Sequence, residues 1–282
     1  MSITAENWAA ARAALQDVTE RFGRVLLAAP DPGRAATKHW SVAETAAHVA
    51  GLTWAEAWLL EPGESAEPIP GLAEQLRTGT VDNLAAGYNT TLLRNYAERD
   101  PRLLDRQLRT SVAEILRLTA DDDPARTLDW LGGSRLPVAG LVAHLMNEIL
   151  VHGWDLGRAT GSRWQIPEEY AALFVDVFLV EIIRHGVGAA MDDDRPVREG
   201  RIAVQFRSAY TTPVTIVLDD GELSVQPPRR DDDVRVSFRP SVLDLVLFHR
   251  VGNARAALTG ALRVSGRRPW LLIPFLKKVR LP

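Results

Sequence analysis

The chain has 282 residues, 46% of them hydrophobic and 24% charged, with a formal net charge of −3. That length suits two hydrophobic cores of ordinary size, and the lack of a basic excess argues against nucleic acid as a partner. Cysteine is absent, which excludes disulfides, a thiolate metal cage and a cysteine nucleophile, so any thiol chemistry must use a thiol brought from outside.

The first predicted element is a helix over 5–28, ended before Pro30 and Pro32. Ser41 and Glu44 then form a Ser-x-x-Glu capping box, which predicts a helix from Val42 to about Leu60, stopped by Pro62-Gly63. A polar connector, EPGESAEPIPG, leads to helical patterns at 80–98 and 102–119, the latter closed by ADDDP. Pro137 suits the first turn of the next helix, which contains LVAHLMNEILVHGWDLGRATG over 141–161. No period-two strand interrupts this first half, so it is expected to be all-helical.

After Gly161 the pattern changes. A helix is predicted from Pro167 to about Val187, then strands at RIAVQFR, PVTIVL, ELSVQP and DVRVSF, two of them joined through Asp219-Asp220-Gly221 as a hairpin. Short helices at 241–249 and 253–259, the strand-like ALRVSG and the amphipathic PWLLIPFLKK complete the chain. The expectation is two domains: a helical one over 1–162, and an α+β one over 163–282 with a small, mostly antiparallel sheet. Asp triplets at 121–123, 192–194 and 231–233 lack EF-hand spacing and read as solvated loop ends. No apolar run approaches the roughly 20 residues that cross a bilayer and no basic-then-apolar leader opens the chain, so a cytoplasmic protein without membrane contact is expected. Only three of the 33 basic residues are lysines (Lys38, Lys277, Lys278), a bias expected of a GC-rich genome.

The helix over 141–161 raises the question of function. On a helical wheel Glu148 and His152 fall within the arc of Leu141, Leu145, Ile149 and Leu156, with His144 and Asp155 at its edge. A carboxylate facing a core must be neutralised, by arginines or by a cation. Positions i and i+4 also offer two ligands to one ion, and a third can come from His48, on the stripe His48, Leu52, Ala55, Leu59 of the capped helix. Three nitrogen and oxygen ligands leave a coordination position open, the arrangement of a catalytic rather than a structural zinc, which deprotonates a thiol or lowers the pKa of water. Taken singly, a Glu or His on a helix is more often structural.

His144 reads as a neighbour of the site or as surface, and Asp155 either as the group orienting a ligating histidine or as a pair for Arg158. His39, His185 and His249 are assigned no chemistry. Trp8, Trp54, Trp58 and Trp130 read as packing anchors, whereas Trp154, beside His152, is a candidate substrate contact. Arg250, Arg255, Arg263 and Arg267 are candidate carboxylate or sugar contacts, against a plain reading as surface arginines.

The segments HWSVAETAAHV and NEILVHGWDLGRATG, about a hundred residues apart and followed by a small α+β region, resemble the mycothiol-dependent maleylpyruvate isomerase family of the DinB-like superfamily. The resemblance implies an N-terminal four-helix bundle holding a divalent metal, usually zinc, through His48, Glu148 and His152. It also implies a sterol-carrier-like C-terminal domain, and mycothiol, an actinobacterial thiol, as cosubstrate. The leading expectation is a mycothiol S-transferase acting on a small-molecule electrophile. The alternatives are cis-trans isomerisation of maleylpyruvate by thiolate addition and elimination, and a non-catalytic carrier or regulator that binds an apolar ligand.

Overall fold

The computed structural model describes residues 3–61, 67–193, 197 and 199–279. Helix α1 (Ala5–Leu27) begins where Thr4 Oγ1 accepts the Asn7 N–H at 3.1 Å. Helix α2 (Val42–Leu60) begins at the expected capping box, in which Ser41 Oγ accepts from the Glu44 N–H and Glu44 Oε2 accepts from the Ser41 N–H at 2.8 Å. Such a box satisfies two of the donors that a helix start orphans, and losing its cap costs about 1 kcal/mol. The Pro62-Gly63 stop expected after α2 lies outside the described residues.

The expected helix over 80–98 is broken up. A separate helix α3 (Leu72–Thr78) precedes it, and a π-helical segment (Ala85–Asn89) leads into α4 (Thr90–Asn95). Gly79 marks the break: a Cβ there would stand 2.5 Å from Leu131 Cδ1 and 2.7 Å from the Gln75 carbonyl, so the chain passes where only glycine fits. Helix α5 (Pro101–Leu118) is capped by Asp100 Oδ1, which accepts from the Arg102 and Leu103 N–H groups at 2.8 and 3.1 Å. Its apolar stripe Leu104, Leu108, Val112, Ile115 is buried.

The first half is not all-helical. Strands β1 (Thr127–Asp129) and β2 (Arg135–Pro137) form an antiparallel hairpin, tied across by Arg135, which reaches both Asp129 and Thr127 Oγ1. Three-residue strands are too short to show period two. Pro137 then caps α6 (Val138–Thr160), and Gly161, at φ 75°, ends it in the left-handed conformation that glycine adopts freely. Helices α1 and α2 each pack on both α5 and α6. Helix α6 is therefore buried along nearly its whole length, including the polar residues Asn147, His152 and Asp155.

In the second half, α7 (Glu168–Leu173) continues through a π-helical stretch (Phe174–Leu179) into α8 (Val180–His185), and this stretch lies against α6. Strands β3 (Arg201–Arg207), β4 (Val214–Asp219), β5 (Glu222–Gln226), β6 (Val234–Phe238) and β7 (Leu262–Ser265) form a sheet in the order β5-β4-β3-β6-β7. Its pairings are antiparallel except for parallel β3–β6, so the sheet is mixed. The β4–β5 hairpin turns on Asp220 and Gly221, at φ 46° and 88°, the left-handed values that a two-residue type I′ turn requires. Register aligns Val204 with Ile216 and Phe206 with Val236, which gives one continuous apolar face. Helices α9 (Pro240–Leu247), α10 (Asn253–Leu258) and α11 (Leu272–Lys278) complete the chain. No described helix is long and apolar enough to cross a membrane.

The Asp triplets differ from one another. Asp122 pairs with Arg126 at 2.5 Å at the surface, and Asp192 with Lys278 at 2.9 Å, while Asp194 lies outside the described residues. The third is not a solvated loop end, because Asp232 and Asp233 are buried. Asp233 accepts the Ala203 N–H at 2.9 Å and pairs with Arg268, and Asp232 accepts from Thr215 Oγ1 at 2.6 Å, so these carboxylates pin the β6 approach to the sheet.

Asp244 of α9 is fully buried, and burial pushes its carboxyl up to about 8, against a smaller lowering by the Asn147 amide of α6. An unfolded aspartate titrates near 4, so ionisation is costlier in the folded state. The native state therefore loses stability as pH rises from about 4 to about 8. Asp244→Asn is expected to remove that slope and to melt higher than wild type at pH 8, with a smaller difference at pH 5. Thermal unfolding at the two pH values checks this; a variant that melts lower at pH 8 contradicts it.

Candidate metal centre

His48 projects from the second turn of α2, and Glu148 and His152 from successive turns of α6. The packing of α2 on α6 brings the three together. Glu148 Oε2 lies 3.4 Å from His48 Nε2 and 3.5 Å from His152 Nε2, and the three donor atoms lie within 4.8 Å of one another. The imidazoles meet edge to face at 5.0 Å, and the Trp40 ring covers both, with centroids 4.7 Å from His48 and 5.9 Å from His152.

The geometry can be tested against an ion. In a tetrahedral zinc site with bonds of about 2.0–2.2 Å, neighbouring donors stand about 3.3–3.6 Å apart. Both edges from Glu148 match that spacing. The residues therefore fit a divalent metal of zinc's size and preference, with two imidazole nitrogens and one carboxylate oxygen as donors. His152 is oriented for the role, because its Nδ1 faces Asp155 Oδ2 at 3.1 Å and its Nε2 faces the cluster. Asp155 is in turn held by Arg250, through Nη2 to Oδ2 at 2.7 Å and Nε to Oδ1 at 3.3 Å. Such outer partners fix a ligating imidazole's tautomer and ring angle.

Electrostatics follow burial. Burial alone would raise the Glu148 carboxyl, but hydrogen bonds from His152 and His48 and the charge of His144 hold it well below the usual range. Burial lowers His48, favouring the neutral imidazole that a metal needs. Burial also acts to lower His152, but Asp155 and Glu148 outweigh it and raise the pKa.

Other expected residues separate into groups. His144 is not at the surface: its Nδ1 lies 3.2 Å from Glu56 Oε1 and its Nε2 3.6 Å from Glu148 Oε1, between the rings of Trp130 and Phe178. Asp155 pairs with His152 and Arg250 instead of Arg158, whose guanidinium stacks on Trp154 at 4.8 Å. Trp154, Arg250 and Arg255 line a recess of about 670 Å³ beside α9 and α10, whereas Arg263 lines neither this recess nor the cavity described next. Arg267 donates to the Asp231 carbonyl at 2.9 Å. His39 is exposed, and His185 lies 3.4 Å from Glu181 on its own helix.

Sequence reasoning passed over Trp40 and Glu56. Glu56 is fully buried, and burial pushes it up to about 7. It stands eight residues after His48 on the same helix face, a spacing that could have revealed it. The cluster opens onto a cavity of about 610 Å³, which extends from Trp40 and His48 between α8 and the apolar sheet face to α11.

No family model and no curated protein matches the chain. Solved structures do, and two of them each match over 92% of this chain and 92% of their own, with a TM-score of 0.51: the mycothiol-dependent maleylpyruvate isomerase, at 15% identity, and a histidine-to-alanine mutant of it, at 14%. The likeness is one of fold. It spans both the helical half and the sheet-bearing half.

Proposed function

We propose that the protein is a metal-dependent enzyme that activates the thiol of mycothiol for attack on an electrophilic small molecule, with His48, Glu148 and His152 holding the ion, zinc by preference. The observation that carries this reading is the convergence of three donors within 4.8 Å of one another, the two edges from Glu148 at zinc-like spacing, on the wall of a large cavity. A divalent ion there supplies positive charge that favours the deprotonated form of a thiol at neutral pH. Asp155 keeps the His152 Nε2 lone pair turned inward, His152 and Arg250 together favour the ionised form of Asp155, and Trp40 shields both imidazoles from bulk water.

In this reading α1, α2, α5 and α6 act as a four-helix bundle within a domain over 1–162, and 163–282 form a second, α+β domain. Trp154, Arg250 and Arg255, which share one recess, are proposed to contact the polar body of the thiol. A carrier without turnover has no need of the convergent donor set. Isomerisation of maleylpyruvate is a second reading, favoured by the fold likeness to the maleylpyruvate isomerase.

Mass spectrometry of the zinc-loaded protein with mycothiol and an electrophile panel separates the two. A stable thioether is expected for the transferase, and a trans isomer with thiol regenerated for the isomerase. Absence of both products overturns the thiol-activating reading.

A further inference from the structure

The cavity below the metal cluster has a volume, about 610 Å³, in the range of roughly 300–1,000 Å³ that encloses a drug-sized ligand. Most of its polar groups gather at one end, where Glu56, Tyr88 and His144 join His48, Glu148 and His152, and the other polar side chains on the wall are Asn89 and Arg250. Away from that end the wall is aromatic and aliphatic: Phe174 and Phe178 from the helix over α6, Ile216 and Val236 from the sheet, Phe275 from α11.

Among the described residues, Arg250 is the one Arg or Lys side chain on this wall, and its guanidinium is already engaged by Asp155 and by the Phe248 carbonyl at 2.7 Å. A substrate carboxylate lying along this wall would be desolvated without a partner, which is costly. The far end is apolar even where it meets solvent. Ile273 and Leu276 of α11 and Val264 of β7 line the cavity yet are 67%, 43% and 43% exposed, so they form a greasy rim. Exposed apolar side chains grouped at a cavity mouth serve entry of an apolar ligand better than they serve folding.

We propose that the electrophile is a large uncharged molecule with a hydrocarbon body, its reactive carbon at His48, Glu148 and His152 and its body enclosed between the sheet and α11. This rests on the thiol-activating reading and names its substrate class, which is unlike a small dianion. With an alkyl vinyl ketone as the electrophile, the sulfur of the thiol bonds to the terminal carbon while the C=C π pair shifts towards the carbonyl. The α-carbon then takes the proton that the thiol gave up, and nothing is oxidised or reduced.

The test uses the zinc-loaded protein and two readouts. First, kcat/KM with mycothiol is measured for straight-chain alkyl vinyl ketones of rising length, corrected for the uncatalysed reaction. Each added methylene is expected to raise it about three- to fourfold until the cavity is filled. Second, saturated ketones of the same lengths are used without thiol to displace Nile red, and affinity is expected to rise with length in parallel. Val236→Phe and Ile216→Phe, either of which narrows the cavity, are expected to shorten the optimal chain in both readouts.

A flat length profile, or failure to bind Nile red while a short electrophile is still conjugated, overturns the substrate class and leaves thiol activation standing. Length-dependent displacement with no conjugate from any electrophile overturns thiol activation and the electrophile assignment with it.

Discussion

Glu148→Gln is expected to leave a folded protein that no longer retains its metal. Glutamine keeps the size and one acceptor oxygen of glutamate but removes the charge that both imidazoles face at 3.4 and 3.5 Å. Structural zinc sites of four ligands bind with about 10–16 kcal/mol, so one ligand carries roughly 3–4 kcal/mol. Its loss therefore weakens binding about 10²–10³-fold. Thiol conjugation should fall at least as far. Stability is expected to change little, because the neutral amide relieves a desolvation cost while losing the histidine contacts. Metal content after dialysis and the melting temperature together check this; a Glu148→Gln protein that keeps its metal and its activity refutes the assignment.

The second large effect is predicted one step outside the ligands. Asp155 lies 95 residues before Arg250 and joins it to His152, so α6 and the segment after α9 meet at a proposed metal ligand. Asp155→Asn removes the charge that holds the His152 tautomer and leaves the guanidinium of Arg250 without its carboxylate. Changes of this kind cost about 10–100-fold in metal affinity or activity. Chelator competition should show that loss for Asp155→Asn, whereas Arg158→Met should bind metal like wild type because Arg158 rests on Trp154. Equal affinity in wild type and Asp155→Asn would reduce Asp155 to a structural ion pair.

These expectations show what could be read in advance. The capping box at Ser41 and Glu44 fixed the start of α2 because its two hydrogen bonds are local. Glu148 and His152 were legible as a pair because helix geometry alone puts i and i+4 on one face. His48 was legible because its stripe has to pack inside the helical core. The Arg250 contact to Asp155 was not, since it depends on where the segment after α9 meets α6, and no local pattern encodes that.

Trp40 was hidden for a similar reason. Trp40 precedes its helix, and only the folded chain stacks it on two histidines from different helices. Glu56 was within reach of its eight-residue spacing from His48, but only the folded chain sets it, buried, against His144. The β1–β2 hairpin was missed because three-residue strands carry no period. Asp232 and Asp233 were misjudged because a run of aspartates usually means solvent, whereas these two accept hydrogen bonds from the sheet.

Calorimetric titration of the zinc-loaded protein with mycothiol, at pH 7 in two buffers of different ionisation enthalpy, tests thiol activation most directly. The account predicts one mycothiol per zinc and release of about one proton per thiol bound, with both lost in Glu148→Gln. Mycothiol that binds without releasing a proton, or that binds Glu148→Gln and wild type alike, would contradict it.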